Sequence, residues 1–326
     1  MVDTKYAEKI LELADRYNYS PFMIEQIMIN FPGEHSAVIN AFNRQSREII
    51  RVNTLKITPD KLKKLLEKKG FRIKPTMFDY AFQVDSSQTR IGVGNTHEYL
   101  QGFYYIQSLA SMASVHLLYP VPGDNILDMC AAPGSKTTQI GQFLNQEGII
   151  IAVDNKESRI QSLSSNVKRM GIDNCIIFPK DAGLLGSFLK PTFIPDKILL
   201  DAPCTGSGII RVDRNIKKAK NDLNIKRMVQ IQKRLFKTAV DILKPGGLLM
   251  YSTCSFHYQE NEELIADMLK KYRNIEIIEP NEDFGHPGFN NIDDKNFGVE
   301  LLKTRRMYPN RDDLDAFFYC LLKKKY

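Results

Sequence analysis

From Pro122-Gly123-Asp124 onward, short apolar runs alternate with helical stretches, and no other feature of the chain narrows its possible folds as much. The runs Ile126–Cys130, Ile149–Asp154, Cys175–Pro179, Ile198–Asp201 and Leu248–Thr253 have the length and composition of strands. Strands separated by helices join through crossovers, which implies a parallel, doubly wound sheet. The end of the chain differs. After a helix at Asn261–Tyr272 come Glu276–Ile278 and a final strand Phe317–Leu322, with no crossover helix between them. That tail suits an antiparallel hairpin closing an otherwise parallel sheet.

The first part reads otherwise. Residues 3 to about 43 are expected to be helical, with Ile10, Leu11, Leu13, Ala14 and Tyr17 at helical spacing and Ser20-Pro21 restarting a helix with a cap and a first-turn proline. A strand–helix–strand pattern follows: Ile49–Leu55, the helix Lys61–Lys69 stopped by Gly70, Phe71–Lys74, and a further strand at Ala81–Val84. The expected division is a helical plus α+β domain over 1–110 and a larger domain over 111–326. The lysines at 61, 63, 64, 68 and 69 form either a solvated face or a nucleic-acid surface.

Composition excludes more than it selects. With 43% hydrophobic and 25% charged residues, the chain has the makeup of a globular protein. The net charge of +7 is compatible with a polyanionic partner without requiring one. Its five cysteines form no CxxC pair and no zinc-type cluster, so free thiols in a reducing cytoplasm and no metal are expected. No apolar run has membrane-spanning length, so no membrane association is expected.

The first strand of the alternating region runs into Met129-Cys130-Ala131-Ala132-Pro133-Gly134-Ser135-Lys136, then a helix at Thr137–Leu144. Small residues there let a ligand approach the backbone at the carboxyl edge of the sheet. The loop is neither a Walker loop nor GxGxxG. Asp154 ends the second strand, where it can accept from a ribose diol, and Asp181 follows the third, where an adenine amino group can be read; the bland alternative for each is a turn or cap residue.

Two thiols follow the last two strands of the alternation, Cys204 in Asp201-Ala202-Pro203-Cys204 and Cys254 in Ser252-Thr253-Cys254-Ser255. Cys175 and Cys320 lie inside apolar strand patterns and read as buried hydrophobes. If the two strands are neighbours, both sulfurs and the Asp201 carboxylate overlook one cleft. Such a set suits methylation at carbon 5 of cytosine. A thiolate adding at carbon 6 makes carbon 5 nucleophilic, and a carboxyl group at N3 stabilises the developing charge. A helix starting near Tyr258–Asn261 is expected to favour a Cys254 anion.

These residues resemble the Nol/Nop/Sun RNA cytosine-5 methyltransferases along nearly the whole chain. The likeness rests on Arg51-Val52-Asn53-Thr54-Leu55-Lys56, Gly102-Phe103-Tyr104-Tyr105-Ile106-Gln107, Asp128 to Thr137, Asp201 to Gly208, and Ser252 to Ser255. It implies a Rossmann-like class I methyltransferase sheet, mostly parallel with an antiparallel C-terminal strand, and a small N-terminal α+β domain. It implies S-adenosylmethionine as cofactor, held by Cys130, Ala131, Ala132, Pro133, Gly134, Ser135, Lys136, Asp154, Arg159, Asp181 and Asp201. In this family the Thr-Cys thiol is the nucleophile, so Cys254 attacks, Cys204 assists release and Lys136 orients groups near Asp201. Asp315-Ala316 departs from the family, which usually has glycine at the second position.

The resemblance is greatest to archaeal tRNA methyltransferases, which implies a monomer acting on tRNA. The alternatives are rRNA as substrate, or a non-catalytic RNA-binding assembly factor. Arg211, Arg214, Lys217, Lys218, Lys220, Lys226, Arg227, Lys233, Arg234 and Lys237 are candidates to track phosphates, with solvated helix faces as the alternative.

Overall fold

The computed structural model describes residues 4–189, 193–282 and 284–326. The first residue of the expected N-terminal helix region, residue 3, lies outside them. The chain divides into two compact units, one of Arg47–Asp201, Lys237–Tyr251 and Lys323–Tyr326, the other of Met1–Ser46, Ala202–Phe236 and Ser252–Leu322.

In the first unit the β-branched run at residues 48–52 forms strand Glu48–Val52, shorter than expected because Asn53 leaves the ladder to bond elsewhere. It pairs antiparallel with Ala81–Asp85 and Tyr104–Ile106 in a four-stranded sheet completed by Arg72–Pro75. Helix Pro59–Glu67 buries Leu62 and Leu66 among Ile50, Val52, Phe82 and Tyr104. Its start is two residues earlier than expected, as Pro59 takes the first turn, where its missing N–H costs nothing.

The alternating segments of this unit form the expected parallel ladder. Asn125–Asp128 lies between Ile149–Asp154 and Lys197–Asp201, and Cys175–Pro179 flanks the former. Leu248–Thr253, which begins in this unit, is the neighbour of Lys197–Asp201. The chain therefore winds outward from Asn125–Asp128 in one direction and then in the other. The switch point lies between Asn125–Asp128 and Lys197–Asp201, where open sheets of this kind bind ligands. Cys175 is half-buried rather than buried, because its strand is the sheet's edge.

In the second unit, helices Thr4–Tyr17, Pro21–Asn30 and His35–Asn43 enclose a core of Met23, Ile24, Ile27, Phe31 and Phe42 with Phe256 and Tyr308. Ser20 caps the second helix through Met23 N, and Pro21 occupies its first turn, as the sequence pattern requires. The C-terminal strand Phe317–Lys324 is antiparallel to Arg305–Met307, with Arg306 opposite Phe318. The simple hairpin expected here is not formed. Ile275–Ile277 does pair with Phe317–Lys324, but the chain between them supplies Arg305–Met307 as well. That three-residue strand carries two arginines and does not read as apolar. Arg306 is buried by a two-pronged ion pair with Glu262, 2.6 Å at each prong.

Among the described residues no helix is long and apolar enough to cross a membrane, and no group of three or more His, Cys, Asp or Glu side chains could hold a metal ion.

Candidate functional site

In the first unit the loop after Asn125–Asp128 turns into helix Ser135–Leu144 through Gly134, whose φ of 103° disfavours any side chain. A Cβ there would also come within 3.1 Å of Leu163. Ala131 and Ala132 are buried, Pro133 is exposed, and Cys130 and Ser135 are half-buried. Thr137 Oγ1 donates to Asp128 Oδ2 at 2.7 Å, while the buried Asp128 Oδ1 has no hydrogen-bond partner among the described residues. Burial pushes the Asp128 carboxyl up to about 7. Enclosure, and then the charge of Asp128, push the Cys130 thiol up.

Asp154 is buried at the end of the second strand of this sheet. Its Oδ2 accepts from Ala132 N at 3.2 Å, its Oδ1 from Lys156 N at 3.1 Å, and Arg159 lies 3.5 Å away. Arg159 also donates to the Ala132 carbonyl. Asp181 caps the short turn Ala182–Ser187, accepting from Gly183 N at 2.8 Å. Lys136 Nζ stands 2.8 Å from Asp201 Oδ2, across the switch point. All the loop and acidic positions singled out in the sequence, from Cys130 to Asp201, thus lie in this one unit.

Behind the loop stands Arg51, fully buried. Its NH1 donates to Gln107 Oε1 at 2.7 Å and to the Ser135 carbonyl at 2.6 Å, and its NH2 to Thr138 Oγ1 at 2.9 Å. Burial lowers its pKa to about 9. Arg51 is visible as part of a motif, but nothing in the sequence reveals that it braces the loop.

The second unit holds both candidate thiols. Cys204 Sγ and Cys254 Sγ are 3.3 Å apart, each half-buried. The bond to Cys254, burial, and the charges of Cys254 and Glu260 all push the Cys204 thiol up. Gly208 N donates to Cys254 O at 2.9 Å and Gly208 O accepts from Ala316 N at 3.1 Å. A Cβ on residue 208 would lie 2.0 Å from the Ala316 carbonyl oxygen. Gly208 therefore permits the close approach, and the side chain of Ala316 is buried in this unit's apolar core. A cavity of about 440 Å³ opens beside Cys204, walled by Thr205, His257, Asn224, Met228 and Phe22.

The residues that hold the two thiol loops together were missed by sequence reasoning. Glu260 is fully buried; its Oε1 accepts from Thr205 N at 3.0 Å and Gln232 Nε2 at 2.9 Å, its Oε2 from Thr205 Oγ1 at 2.6 Å and Ser255 Oγ at 2.5 Å. Burial raises its pKa. The run Gln259-Glu260-Asn261-Glu262-Glu263 reads as a solvated helix start, so no sequence signal pointed inward. The helix expected beside Cys254 begins at Glu262, after a short turn at Tyr258–Glu260, and its first turn carries carboxylates rather than an open positive end.

Many of the basic candidates for phosphate contact have structural work instead. Arg211 is buried and donates to the carbonyls of Ala41, Pro309 and Asp313; Arg214 donates to those of Phe42, Asn43 and Arg44. Lys217 and Lys218 bond Asn43 and Asn18, while Lys226, Lys233 and Lys237 pair with Asp222, Asp267 and Asp241. Their charges close loops and brace helices, which a sequence cannot distinguish from charges left open.

A mostly parallel, doubly wound sheet with a small-residue loop at its switch point is that of a class I methyltransferase, whose cofactor is S-adenosylmethionine. Residues 115–323 match the family model for 16S rRNA methyltransferase RsmB/F, and residues 22–109 that for the N-terminal domain of 16S rRNA methyltransferase RsmF. The chain belongs to this family of RNA methyltransferases. It is 36% identical over 325 residues to the 28S rRNA (cytosine-C(5))-methyltransferase of Mus musculus, covering 96% of this chain and 40% of that one. It is 40% identical over 234 residues to ribosomal RNA small subunit methyltransferase F of Shewanella halifaxensis, covering 68% and 48%. A methyltransferase homologue from Pyrococcus horikoshii is similar in structure, with a TM-score of 0.86 at 32% identity over 97% of this chain and 99% of the other. The chain spans about half the length of the curated relatives it matches.

Proposed function

We propose that the chain methylates carbon 5 of cytosine in RNA, with Cys254 as the nucleophile. The observation that carries this is the pair of thiols 3.3 Å apart, Cys254 directly after one sheet strand and Cys204 three residues past the end of another. Amino-group methylation has no use for two thiols. The residues around the switch point fit S-adenosylmethionine: Gly134 leaves the loop open to a ligand, Asp128 Oδ1 is an unfilled acceptor, and Asp154 and Asp201 add carboxylates. We assign Cys130 to Lys136, Asp154, Arg159, Asp181 and Asp201 to its binding. When bound, the cofactor supplies an electrophilic methyl group.

The rest is done by protein side chains. Cys254 as thiolate adds to carbon 6 of the cytosine, which makes carbon 5 nucleophilic. Asp201, oriented by Lys136, hydrogen-bonds the ring at N3 as charge develops. After methyl transfer the carbon-5 proton leaves and the bond between carbon 6 and Cys254 breaks, with Cys204, held as a thiol, assisting release. The target base must be unstacked to reach these groups. Residues 1–110 contribute RNA contacts, the exposed lysines of the Pro59–Glu67 helix among them.

The two curated relatives are rRNA methyltransferases by name, which favours rRNA over the tRNA expected from the likeness to archaeal enzymes. The deciding experiment is transfer of labelled methyl from S-adenosylmethionine to unmodified RNA, with tRNA and rRNA separated and products mapped by bisulfite sequencing. Label as 5-methylcytosine in rRNA is the expected result, and label in tRNA alone overturns the substrate. Binding of RNA without transfer to either overturns the enzyme reading in favour of an assembly factor.

A further inference from the structure

We propose that Glu260 is a positioning residue that fixes the distance between the two thiols by gripping the residue that follows each of them. Its catalytic consequence rests on the function proposed above; its geometry does not. Thr205 follows Cys204 and Ser255 follows Cys254, and both side chains bond the same carboxylate oxygen, at 2.6 and 2.5 Å. The second oxygen takes the Thr205 backbone N–H at 3.0 Å, so the Cys204 loop is held through main chain as well as side chain. Gln232 ties the arrangement to its helix, since its Nε2 donates both to Glu260 and to the Pro203 carbonyl, at 2.9 and 3.0 Å.

The loops are laced at their outer ends too. Ser255 Oγ lies 3.0 Å from Ser207 Oγ and accepts from His257 N at 3.1 Å, while Asn261 Nδ2 donates to the Ser255 carbonyl at 2.9 Å. Thr205 Oγ1 and Ser255 Oγ also lie 3.2 Å apart, and the Glu260 carboxylate bonds both hydroxyls at once. A buried carboxylate is an expensive way to join two loops, and it is retained where geometry has to be held tightly. Its charge also acts on the nearer thiol: it is one of the causes that push Cys204 up, after the bond to Cys254 and burial. One side chain therefore grips both thiol loops.

The spacing can be read without any methyl transfer. Two thiols in contact close to a disulfide when diamide takes up their two hydrogens, and the rate depends on how often the sulfurs meet. Full-length wild-type protein, Glu260→Ala, Glu260→Gln and Thr205→Val would be treated with diamide, with Cys204–Cys254 linkage followed by peptide mass, and S-adenosylmethionine affinity measured by calorimetry. Glu260→Ala should close the disulfide roughly tenfold more slowly, and Thr205→Val several-fold more slowly, with cofactor affinity unchanged. Glu260→Gln keeps an oxygen for the two N–H donors and should recover most of the rate. Where an active preparation is available, kcat should follow the same order while KM for the cofactor stays constant.

Wild-type closure rates in both Glu260→Ala and Thr205→Val would overturn the proposal, as would Glu260→Gln as slow as Glu260→Ala. Should Glu260→Ala fail to fold, Thr205→Val and Glu260→Gln carry the same decision. Fast closure in a wild-type protein that methylates no RNA would leave the clamp standing and remove the function.

Discussion

Arg51 and Glu260 are both fully buried charges, one in each unit, and each ties together segments far apart in sequence. Arg51 donates to three neutral acceptors, and among the described residues no carboxylate pairs with it. It joins a strand to the first turn of a helix, so both ends of the brace are regular elements. Glu260 accepts from the neutral donors of two irregular loops. Regular elements keep most of their geometry when one contact is lost, whereas loops depend on the contacts between them. The cofactor side should therefore fail as a loss of stability and affinity, and the thiol side as a loss of rate.

The largest effect expected is on the thiol side. Cys254→Ala should lower methyl transfer by at least about 10⁴-fold and abolish the covalent adduct with 5-fluorocytosine RNA, leaving cofactor affinity intact. Labelled transfer and calorimetry on the same preparation check this. Turnover near wild type would remove Cys254 as nucleophile, and lost cofactor binding would break the division between the two sides. Cys204→Ala sharpens it: a slow-migrating RNA complex on denaturing gels is expected, and normal turnover without one would end its release role.

On the cofactor side, Arg51→Met leaves Gln107 Oε1 without its donor and takes one donor from the Ser135 carbonyl, which keeps Thr138 Oγ1. The expected cost is about 3–5 kcal/mol of stability by urea unfolding, with weaker cofactor binding. Closure of the Cys204–Cys254 disulfide should stay at the wild-type rate. If Arg51→Met slows it, the two braces do not act independently.

The same contrast explains what the sequence disclosed. The alternation of Ile126, Ile150 and Ile198 runs with helices made the parallel ladder readable, because periodicity and burial in a doubly wound sheet are one signal. The turn after Asn125–Asp128 was readable because Ala131, Ala132 and Gly134 are small. Arg305–Met307 was not, since its arginines are buried by Glu262 and Glu279, partners distant in sequence. Glu260 was hidden for the same reason: its donors sit at 205, 232 and 255, and in its own neighbourhood it looks like one acid among several. The cysteines show the mixed case, where strand ends were legible but the 3.3 Å between sulfurs was not.

Asp128 offers a smaller effect with a defined pH window. Burial holds its carboxyl at about 7 in the fold, against about 4 in the unfolded chain. Below pH 4 it is protonated in both states and costs nothing. Between pH 4 and 7 the unfolded chain gives up the proton while the fold retains it, so stability falls across that range and the loss is complete above pH 7. Asp128→Asn keeps an oxygen for Thr137 and removes the titration. Its advantage over wild type should grow from near zero at pH 4 to on the order of 4 kcal/mol at pH 8. A constant difference between the two proteins would mean that Asp128 is ionised in the fold across this range.

The smallest effect concerns the helix Pro59–Glu67 and the turn after it. Of its lysines, Lys69 is held by Glu98 at 2.6 Å and Lys63 approaches Glu67 at 3.9 Å, whereas Lys61, Lys64 and Lys68 are exposed. If these three meet phosphates, changing them to glutamine should reduce the slope of log affinity against log salt by about 2–3, since each phosphate contact contributes about 0.7–0.9. The cofactor affinity and the disulfide rate should not move. Filter binding of RNA from 50 to 200 mM salt would measure the slope. An unchanged slope would make this a solvated face. It would leave RNA recognition to charges such as Lys220 and Arg227, exposed in the unit that carries the thiols. RNA binding and the two thiols would then share one unit.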